Sequence, residues 1–407
     1  MIEELTIDSI SLPKNWKMLP FGEVCEISGG SQPPKSTFIY EPKEGYIRLV
    51  QVRDYRTEKF ITYIPKERAK KFCSKTDIMI GRYGPPIFGI FRGIEGAYNV
   101  ALMKAIPNKE LLNEEYLYWF LKTDTLVKFV EKSSKRAAGQ DGVRKEVLYT
   151  YPTPIPPLNQ QKLLVDIIIK AFAAIGKAKA NAEQNLKNIK ELFESYLQSV
   201  FENKGDEWVT SELNEFVNFI DYRGKTPVKT SSGVRLITAK NIKLGYLQVK
   251  PEEFIAEDNY EAWMTRGIPN FGDVIFTTEA PLGHIAQVNT KEKLAFAQRV
   301  IVMQPDAKRI NQTFLKYLLL SNPIRNKILA KATGATVLGI KSRLLKKIEI
   351  DFPNSIEEQN KIVSKLDTLS EETKKLEAIY TQKIADLEEM KKSILQKAFS
   401  GQLNIQI

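Results

Sequence analysis

The sequence predicts an α+β protein in which one unit occurs twice, each copy being a globular α+β domain followed by a long α-helix. Three observations predict this fold class: an internal similarity that covers nearly the whole chain, short β-rich runs between Gly and Pro turns, and two proline-free segments with a heptad pattern. Because a globular domain lies between the two helices in the sequence, we expect them to pair as an antiparallel coiled coil.

The internal repeat keeps an offset of 198 residues over widely separated segments. AYNVALMKAIP (97–107) aligns with AFAQRVIVMQP (295–305), and SYLQSVF (195–201) aligns with SILQKAF (393–399). A constant offset over such a distance indicates a duplication rather than chance. The predicted boundaries are a globular domain at 1–155, a helical segment at 156–203, a globular domain at 204–355 and a helical segment at 356–407.

The globular domains combine both kinds of secondary structure. Runs such as IRLVQV, DIMIGRY and DVIFTT are rich in β-branched residues and are bounded by Gly or Pro, which is typical of strands. NEEYLYWFLKTDTLVKFVEK has the apolar spacing of an amphipathic helix. Each domain is therefore predicted to be α+β.

Both helical segments follow proline, in YPTPIPP (151–157) and DFPNS (351–355), where proline suits the entry to a helix. A helix of about 44 residues would be about 66 Å long, which exceeds the width of a small domain. A core helix confined to its own domain is therefore the less favoured alternative. The apolar residues predicted to line the coiled-coil seam are Ile168, Ile175, Ile189, Leu192 and Tyr196 in the first segment and Leu366, Leu369, Leu376, Tyr380, Leu387, Met390 and Ile394 in the second.

The formal net charge of +11 is concentrated in the globular domains, which carry +5 and +6, whereas the helical segments carry +1 and −1. This distribution favours a polyanionic partner for the globular domains. Two cysteines and one histidine are too few for a disulfide framework or a structural zinc site. The N-terminus has no signal pattern, and no apolar run is long enough for a membrane span, so we expect a soluble, cytoplasmic protein without metal.

The stretch GGSQPPKS (29–36) nearly matches a phosphate-binding P-loop, but Pro34 replaces its second glycine. The second copy aligns GKTPVKT (224–230) with GSQPPKS (30–36), so both copies keep a proline and a lysine and no apolar helix follows at once. Proline supplies no N–H group to a phosphate, so we interpret both stretches as turns that present a lysine and a hydroxyl. The sequence also lacks an adenine-methyltransferase motif, and its lone His284 has no catalytic partner, so we predict a non-catalytic protein.

The local sequences resemble those of the specificity subunit of Type I restriction–modification systems. LPKNWKMLPFGEVCEISGG, DYRGKTP, GDVIFTTEAPLG, EEQNKIVSKLD and KKSILQKAFSGQL are similar to motifs of that family, and the duplicated order of domains and helices agrees over essentially all of the chain. The resemblance implies that each globular domain is a target recognition domain that reads one half of a split, asymmetric site in double-stranded DNA. It also implies that the helices set the spacing and dock methyltransferase subunits, two by expectation, and restriction subunits. S-adenosylmethionine, ATP and Mg would then belong to those partners, and this chain would need no cofactor.

Loop residues with base-reading or phosphate-binding chemistry are the candidate DNA contacts, because Arg and Lys pair with guanine and Asn and Gln with adenine. They are Lys35, Ser36, Arg53, Arg82, Tyr83, Lys135, Arg136, Gln140 and Arg144 in the first domain and Lys225, Lys229, Lys240, Asn241, Thr278, Lys341 and Arg343 in the second. Two other functions stay open at this point. One is a coiled-coil scaffold whose basic domains bind protein, and the other is a nucleotide-hydrolysing enzyme built on GGSQPPKS.

Overall fold

The computed structural model describes residues 12–84, 87–134, 142–222 and 226–403. The chain divides into two compact units, one formed by Met1–Glu183 with Gln382–Ile407 and the other by Gln184–Thr381. Each unit therefore contains one globular domain together with a part of each long helix.

Among its described residues, the first globular domain has ten strands, four short helices and the start of the first long helix. The strands are β1 (Lys17–Pro20), β2 (Cys25–Gly29), β3 (Tyr46–Val50), β4 (Tyr63–Pro65), β5 (Phe72–Cys73), β6 (Ile78–Gly81), β7 (Ile90–Phe91), β8 (Gly96–Tyr98), β9 (Leu102–Pro107) and β10 (Pro152–Ile155) among the described residues. The helices there are α1 (Phe21–Val24), α2 (Glu114–Phe120), α3 (Asp124–Ser134), α4 (Lys145–Tyr149) and α5 (Leu158–Glu202).

The second globular domain follows the same plan. Its strands are, within the described ranges, β11 (Trp208–Glu212), β12 (Val217–Asp221), β13 (Val234–Ile237), β14 (Phe254–Ile255), β15 (Val274–Thr277), β16 (Ile285–Gln287), β17 (Leu294–Phe296), β18 (Val300–Pro305) and β19 (Glu349–Pro353). Its helices are α6 (Tyr260–Trp263), α7 (Gln312–Leu320), α8 (Asn322–Ala330), α9 (Ser342–Leu345) and the second long helix, α10 (Ile356–Phe399).

The larger antiparallel sheets of the two domains correspond strand by strand, whereas the second sheet has four strands in the first domain and three in the second among the described residues. The four-stranded sheet β2-β9-β6-β7 of the first domain matches β12-β18-β15-β16 of the second, and both are antiparallel throughout. In each domain a second sheet contains one parallel pair, β3 with β8 and β13 with β17. A two-stranded sheet, β1-β10 or β11-β19, joins the beginning of each domain to its end. The prediction of two duplicated α+β domains, each followed by a long helix, is confirmed.

A buried glutamine attaches the first turn of each long helix to its globular domain. In the second unit Gln359 Oε1 accepts the N–H of Asn311 at 2.7 Å, and Gln359 Nε2 donates to the carbonyls of Arg309 and Pro353 at 3.0 and 2.8 Å. In the first unit Gln161 bonds in the same way to the N–H of Asn113. Both glutamine side chains belong to fully buried residues. Because three hydrogen bonds fix each side chain, the helix leaves its domain in one defined direction.

The long helices pack against each other in antiparallel fashion within each unit. In the first unit Lys179 Nζ of α5 contacts Glu388 Oε1 of α10 at 2.7 Å. About two turns earlier on α5 and one turn later on α10, Lys391 lies over the ring of Phe172. In the second unit Asn185 Nδ2 donates to the hydroxyl of Tyr380 at 3.1 Å. The residue numbers of α5 rise along these contacts while those of their partners on α10 fall. The predicted antiparallel pairing is therefore confirmed. No helix of the described residues is long and apolar enough to cross a membrane.

Three predicted seam residues are exposed to solvent. Leu192, Leu376 and Met390 are 63, 41 and 52% exposed. A straight α-helix drifts by about 20° per heptad from an ideal seven-residue repeat, so the buried stripe moves to a neighbouring position. Phe193 accordingly packs on the core of the second unit in place of Leu192. The other predicted seam residues are buried or half-buried, namely Ile168, Ile175, Ile189, Tyr196, Leu366, Leu369, Tyr380, Leu387 and Ile394.

Candidate nucleic-acid interface

In the first domain, the residue that follows the central strand β6 is held between two loops by backbone hydrogen bonds. The N–H of Arg82 donates to the carbonyl of Ala101 at 2.8 Å, and the carbonyl of Arg82 accepts from the N–H of Val143 at 3.0 Å. We call these three positions, Arg82, Ala101 and Val143, the first strand-exit frame. Since the bonds are made by the backbone, they do not themselves require a particular side chain at Arg82 or Ala101.

The second domain repeats this arrangement after its central strand β15. The N–H of Thr278 donates to the carbonyl of Arg299 at 2.9 Å, and the carbonyl of Thr278 accepts from the N–H of Ile340 at 3.0 Å. We call Thr278, Arg299 and Ile340 the second strand-exit frame. The two frames thus have the same pattern of backbone hydrogen bonds and different side chains.

Each frame is followed directly by a basic residue at the start of a short helix. Arg144 precedes α4 and Lys341 precedes α9, both as exposed N-cap residues in extended backbone conformation. Arg343 is exposed two residues further along, in α9. The first frame therefore brings the predicted residues Arg82 and Arg144 together, and the second frame places Lys341 at the equivalent position.

Arg82 and Tyr83 form one half-buried group beside the first frame. The guanidinium of Arg82 lies 5.1 Å from the centre of the Tyr83 ring, within cation–π range. A Cβ on Gly142 would lie 2.6 Å from the Tyr83 ring, so glycine is required for this contact. Arg82 Nε is buried and has no hydrogen-bond partner among the described residues. A buried donor without an acceptor is uncommon in folded proteins.

The GGSQPPKS stretch forms a turn that presents Lys35 and Ser36 to solvent, on a 3-10 helix at Lys35–Thr37. A Cβ on Gly30 would lie 1.9 Å from the carbonyl oxygen of Asn99, so this glycine is needed for close packing of two backbone segments. Pro33 is buried. Glycine and proline thus shape the turn instead of surrounding a phosphate.

In the second domain Pro227 is likewise buried, and Lys229 is exposed and paired with Glu253 at 2.8 Å. The two turns therefore share a buried proline followed, two residues later, by an exposed lysine. Lys240 is a further exposed lysine of this domain, in the loop that follows β13.

Arg53 lies on a 3-10 turn at Val52–Tyr55 and is held on two sides. Its Nη2 donates to Thr62 Oγ1 at 3.2 Å, and its guanidinium lies 5.8 Å from the centre of the Phe60 ring. The adjacent Asp54 is buried, and this burial raises the pKa of its carboxyl, although a backbone hydrogen bond and the nearby Arg48 oppose the rise. Arg53 is about half exposed, so it presents a positive charge in a fixed orientation.

Two candidate DNA contacts are ruled out because their side chains are buried. Asn241 is fully buried, with its Oδ1 accepting from Thr238 and its Nδ2 donating 2.9 Å to the carbonyl of Pro251. Thr278 is 2% exposed and contributes its backbone, not its hydroxyl, to the second frame. Both residues support loops near the surface. Their side chains have suitable chemistry for DNA, but they are buried, so predicting them as DNA contacts from residue type was wrong. The candidates Lys135, Arg136, Gln140 and Lys225 lie outside the described residues.

One basic residue of the second frame was missed by the sequence analysis. Arg299 is about half exposed, and its Nε lies 3.0 Å from Glu279 Oε1. It has a left-handed backbone with φ of 72°, which is uncommon for a residue other than glycine. The offset of 198 aligns Arg299 with Ala101. The difference between arginine in one copy and alanine in the other was the sequence feature that could have indicated this residue.

The described residues contain no group of three or more His, Cys, Asp or Glu side chains that could hold a metal ion. The imidazole of His284 lies with Nδ1 2.9 Å from the carbonyl oxygen of Ile242. Cys25 and Cys73 are buried free thiols, and burial raises the pKa of Cys25 to about 12 and that of Cys73 to about 11, which disfavours the reactive thiolate. These contacts explain the histidine and the cysteines as structural residues.

The fold and the two frames define a protein with two recognition domains of common origin, each presenting basic side chains from equivalent loops. The chain belongs to the family of the Type I restriction modification DNA specificity domain, whose sequence profile matches residues 13–188 and 187–388. It is thus a specificity subunit of the type I class with two recognition domains, and not a catalytic subunit.

Known relatives are similar over almost the full length. The chain is 22% identical to the Type I restriction enzyme MjaVIII specificity subunit of Methanocaldococcus jannaschii, covering 97% of this chain and 95% of that protein. It is also 22% identical to the EcoBI specificity subunit of Escherichia coli, covering 100% and 90%. The HsdS subunit of Thermoanaerobacter tengcongensis has a similar fold, with a TM-score of 0.63, 18% identity and coverage of 96 and 98%. A chain from a study of complex assembly in the type I R-M system gives a TM-score of 0.77 at 20% identity, with coverage of 96 and 99%.

Proposed function

We propose that each globular domain reads one half of an asymmetric, bipartite site in double-stranded DNA. The observation that carries this proposal is the pair of strand-exit frames, which have the same pattern of backbone hydrogen bonds and different side chains. Equivalent loops would present the two sets of side chains to DNA, and different side chains would select different bases. The net charges of +5 and +6 on the globular domains suit contact with phosphates.

We further infer that the two long helices set the distance between the half-sites. With 45 and 44 residues they are long, and at 1.5 Å per residue each spans about 66 Å. Their antiparallel contacts and the buried Gln161 and Gln359 make each junction of helix and domain stiff. A stiff connection favours one spacer length over others.

The helices also carry apolar surface that supports the docking of protein partners. Leu192, Tyr196 and Leu369 line a groove of about 430 Å³ in the second unit. Leu376, Ile379 and Met390 are exposed on α10. We assign these faces to methyltransferase subunits, two by expectation from the duplication, and the assembly to restriction subunits. S-adenosylmethionine, ATP and Mg would bind to those partners, no cofactor would bind to this chain, and the complex would act in the cytoplasm.

The test of this function is a selection from random duplexes by the full-length chain assembled with methyltransferase subunits. We expect enrichment of one split sequence with two different halves and a fixed spacer. Binding should weaken steeply with salt, because each neutralised phosphate contributes about 0.9 to the slope of log affinity against log salt concentration. If no split sequence is enriched and no DNA binds at physiological salt, the chain is a protein-binding scaffold and the proposal fails.

Lys35→Ala is expected to weaken binding to all DNA sequences by a similar factor and to reduce the salt slope by about one, because an exposed lysine on a turn is suited to a phosphate. Titrations at several salt concentrations measure this effect. Lys190→Ala, which removes an exposed lysine from α5, is the matched control and should leave the slope unchanged. If the isolated chain hydrolysed ATP and lost this activity in Lys35→Ala but not in Lys190→Ala, the nucleotide-hydrolysing alternative would be supported instead.

A further inference from the structure

Each strand-exit frame contains one arginine. In the first frame the arginine is the donor of the backbone hydrogen bond, and in the second frame it is the acceptor of the equivalent bond. In the first frame Arg82 supplies the N–H and Ala101 the carbonyl; in the second frame Thr278 supplies the N–H and Arg299 the carbonyl. The side chain of Thr278 is buried, so it cannot replace the guanidinium of Arg82. Arg299 restores an arginine to the second frame from the adjoining loop.

The side chain of Arg299 is oriented by a carboxylate. Its Nε lies 3.0 Å from Glu279 Oε1, and both side chains are about half exposed. Of the five N–H donors of the guanidinium, this contact engages only the one at Nε. Within the described part of the chain, no acceptor bonds to its Nη groups. The forked face that recognises bases is therefore available while the direction of the side chain is set.

Glu279 is itself held by the frame. It pairs in an isolated β-bridge with Gly339, next to the bond between Thr278 and Ile340. A Cβ on Gly339 would lie 3.3 Å from the Cβ of Glu279, so the two strands of this bridge approach closely. The left-handed backbone of Arg299 costs free energy that the frame must offset, and such conformations concentrate at functional sites.

The pairing with Glu279 distinguishes a base-reading role from a phosphate-binding role. A carboxylate beside an arginine repels the phosphate backbone and so weakens a contact that depends only on charge. An arginine that must present two parallel N–H groups to a base edge gains from a fixed orientation, because less rotational freedom is lost on binding. Guanine offers two acceptors, O6 and N7, in the major groove, and arginine is their commonest partner.

We propose that Arg299, oriented by Glu279, reads a guanine in the half-site of the second domain, with the nearby Lys341 as a phosphate contact. This inference rests on the proposed function and names a residue that determines its specificity. Glu279 acts through Arg299 and is a positioning residue. In the first domain Arg82, whose Nε has no hydrogen-bond partner among the described residues, would read the other half-site from the equivalent frame.

The experiment is a selection from duplexes randomised in both half-sites, with the full-length chain in complex with methyltransferase subunits. The variants are Arg299→Lys, Arg299→Ala, Glu279→Gln and Arg82→Lys. Lys308→Ala is the matched control, because it removes an exposed positive charge at the other end of β18 from Arg299. Thermal unfolding of every variant shows whether it is folded.

For the wild type we expect a guanine at one position of one half-site. Arg299→Ala should lower the preference for it by about 10-fold or more, which is the range that one bidentate arginine–base pair supplies, and Arg299→Lys should lower it less because lysine also pairs with guanine. Glu279→Gln should lower the same preference while total affinity for random DNA stays equal or rises. Arg82→Lys should change only the other half-site, and Lys308→Ala should change no base preference.

Two outcomes overturn the inference and are distinguishable. If the wild type selects a split site and the folded Arg299→Ala keeps every base preference, the inference is wrong and the proposed function stands. If the wild type selects no site, the proposed function fails and the inference fails with it. A loss of preference at one guanine in Arg299→Ala, with a smaller loss at the same guanine in Glu279→Gln and the control unchanged, supports the inference.

Discussion

Replacing Gln359 by leucine is expected to lower the free energy of unfolding of the second unit by about 3 kcal/mol, although leucine has a similar volume. The substitution leaves the part-buried N–H of Asn311, the part-buried carbonyl of Arg309 and the buried carbonyl of Pro353 without their glutamine partner. An unpaired buried group costs about 1 to 3 kcal/mol, and a part-buried group that still reaches water costs less. In a unit of about 200 residues, this corresponds to a decrease in Tm of about 6–12 °C.

Calorimetry of the full-length protein measures this effect, because two units can unfold in separate transitions. Gln161→Leu should destabilise the first unit in the same way, since Gln161 accepts from the N–H of Asn113 and donates to the carbonyls of Leu111 and Pro156, all at 2.8 Å. Glu358→Gln, at the exposed neighbouring position, is the control and should change stability by less than about 0.5 kcal/mol. Equal stability of Gln359→Leu and the control would show that these hydrogen bonds contribute nothing.

The same substitution also tests the proposed spacing function. If Gln359 fixes the direction in which α10 leaves its domain, Gln359→Leu should allow the assembled complex to accept spacers of more than one length. A selection from random duplexes, at a temperature below the lowered Tm, would detect several spacer lengths. The sequences of the two half-sites should stay the same. A variant that is destabilised but keeps one spacer length would assign the stiffness of the junction to other contacts.

The repeat and the long helices could be predicted because they depend on patterns that persist along the sequence. The offset of 198 residues aligns β9 with β18 and α5 with α10, and the structure pairs these elements with equivalent neighbours. Buried strand residues in the two copies face the same constraints, so their pattern survives duplication. The exact stripe of the long helices could not be predicted, because the drift from the heptad repeat depends on how strongly the helices coil.

The candidate DNA contacts were harder to predict, since residue type indicates chemistry but not exposure. Asn241 has the right amide for adenine, yet its amide satisfies backbone groups of its own loop. Arg299 was missed for the opposite reason. Its role becomes visible only when the backbone bond to Thr278 places it in the frame, and that bond joins residues 21 positions apart.

Asn241→Ala is expected to destabilise the second unit by about 3 kcal/mol and to leave the base preferences of the folded protein unchanged. Its Oδ1 accepts from both the N–H and the hydroxyl of Thr238 at 3.1 and 3.0 Å. Its Nδ2 donates to the carbonyl of Pro251 at 2.9 Å, so the amide closes the loop between β13 and β14. Alanine leaves these buried groups unpaired, which costs about 1 to 3 kcal/mol for each.

Lys240→Ala is the matched comparison, because it changes the adjacent residue, whose side chain is exposed. It should leave the Tm unchanged and weaken binding to all DNA sequences, with a salt slope smaller by about one. Thermal unfolding should therefore show a lower Tm only for Asn241→Ala, and salt titrations should show a smaller slope only for Lys240→Ala. If Asn241→Ala kept its stability and lost the preference for one adenine, the buried amide would have to leave its loop on binding, and the structural role assigned to it would be wrong.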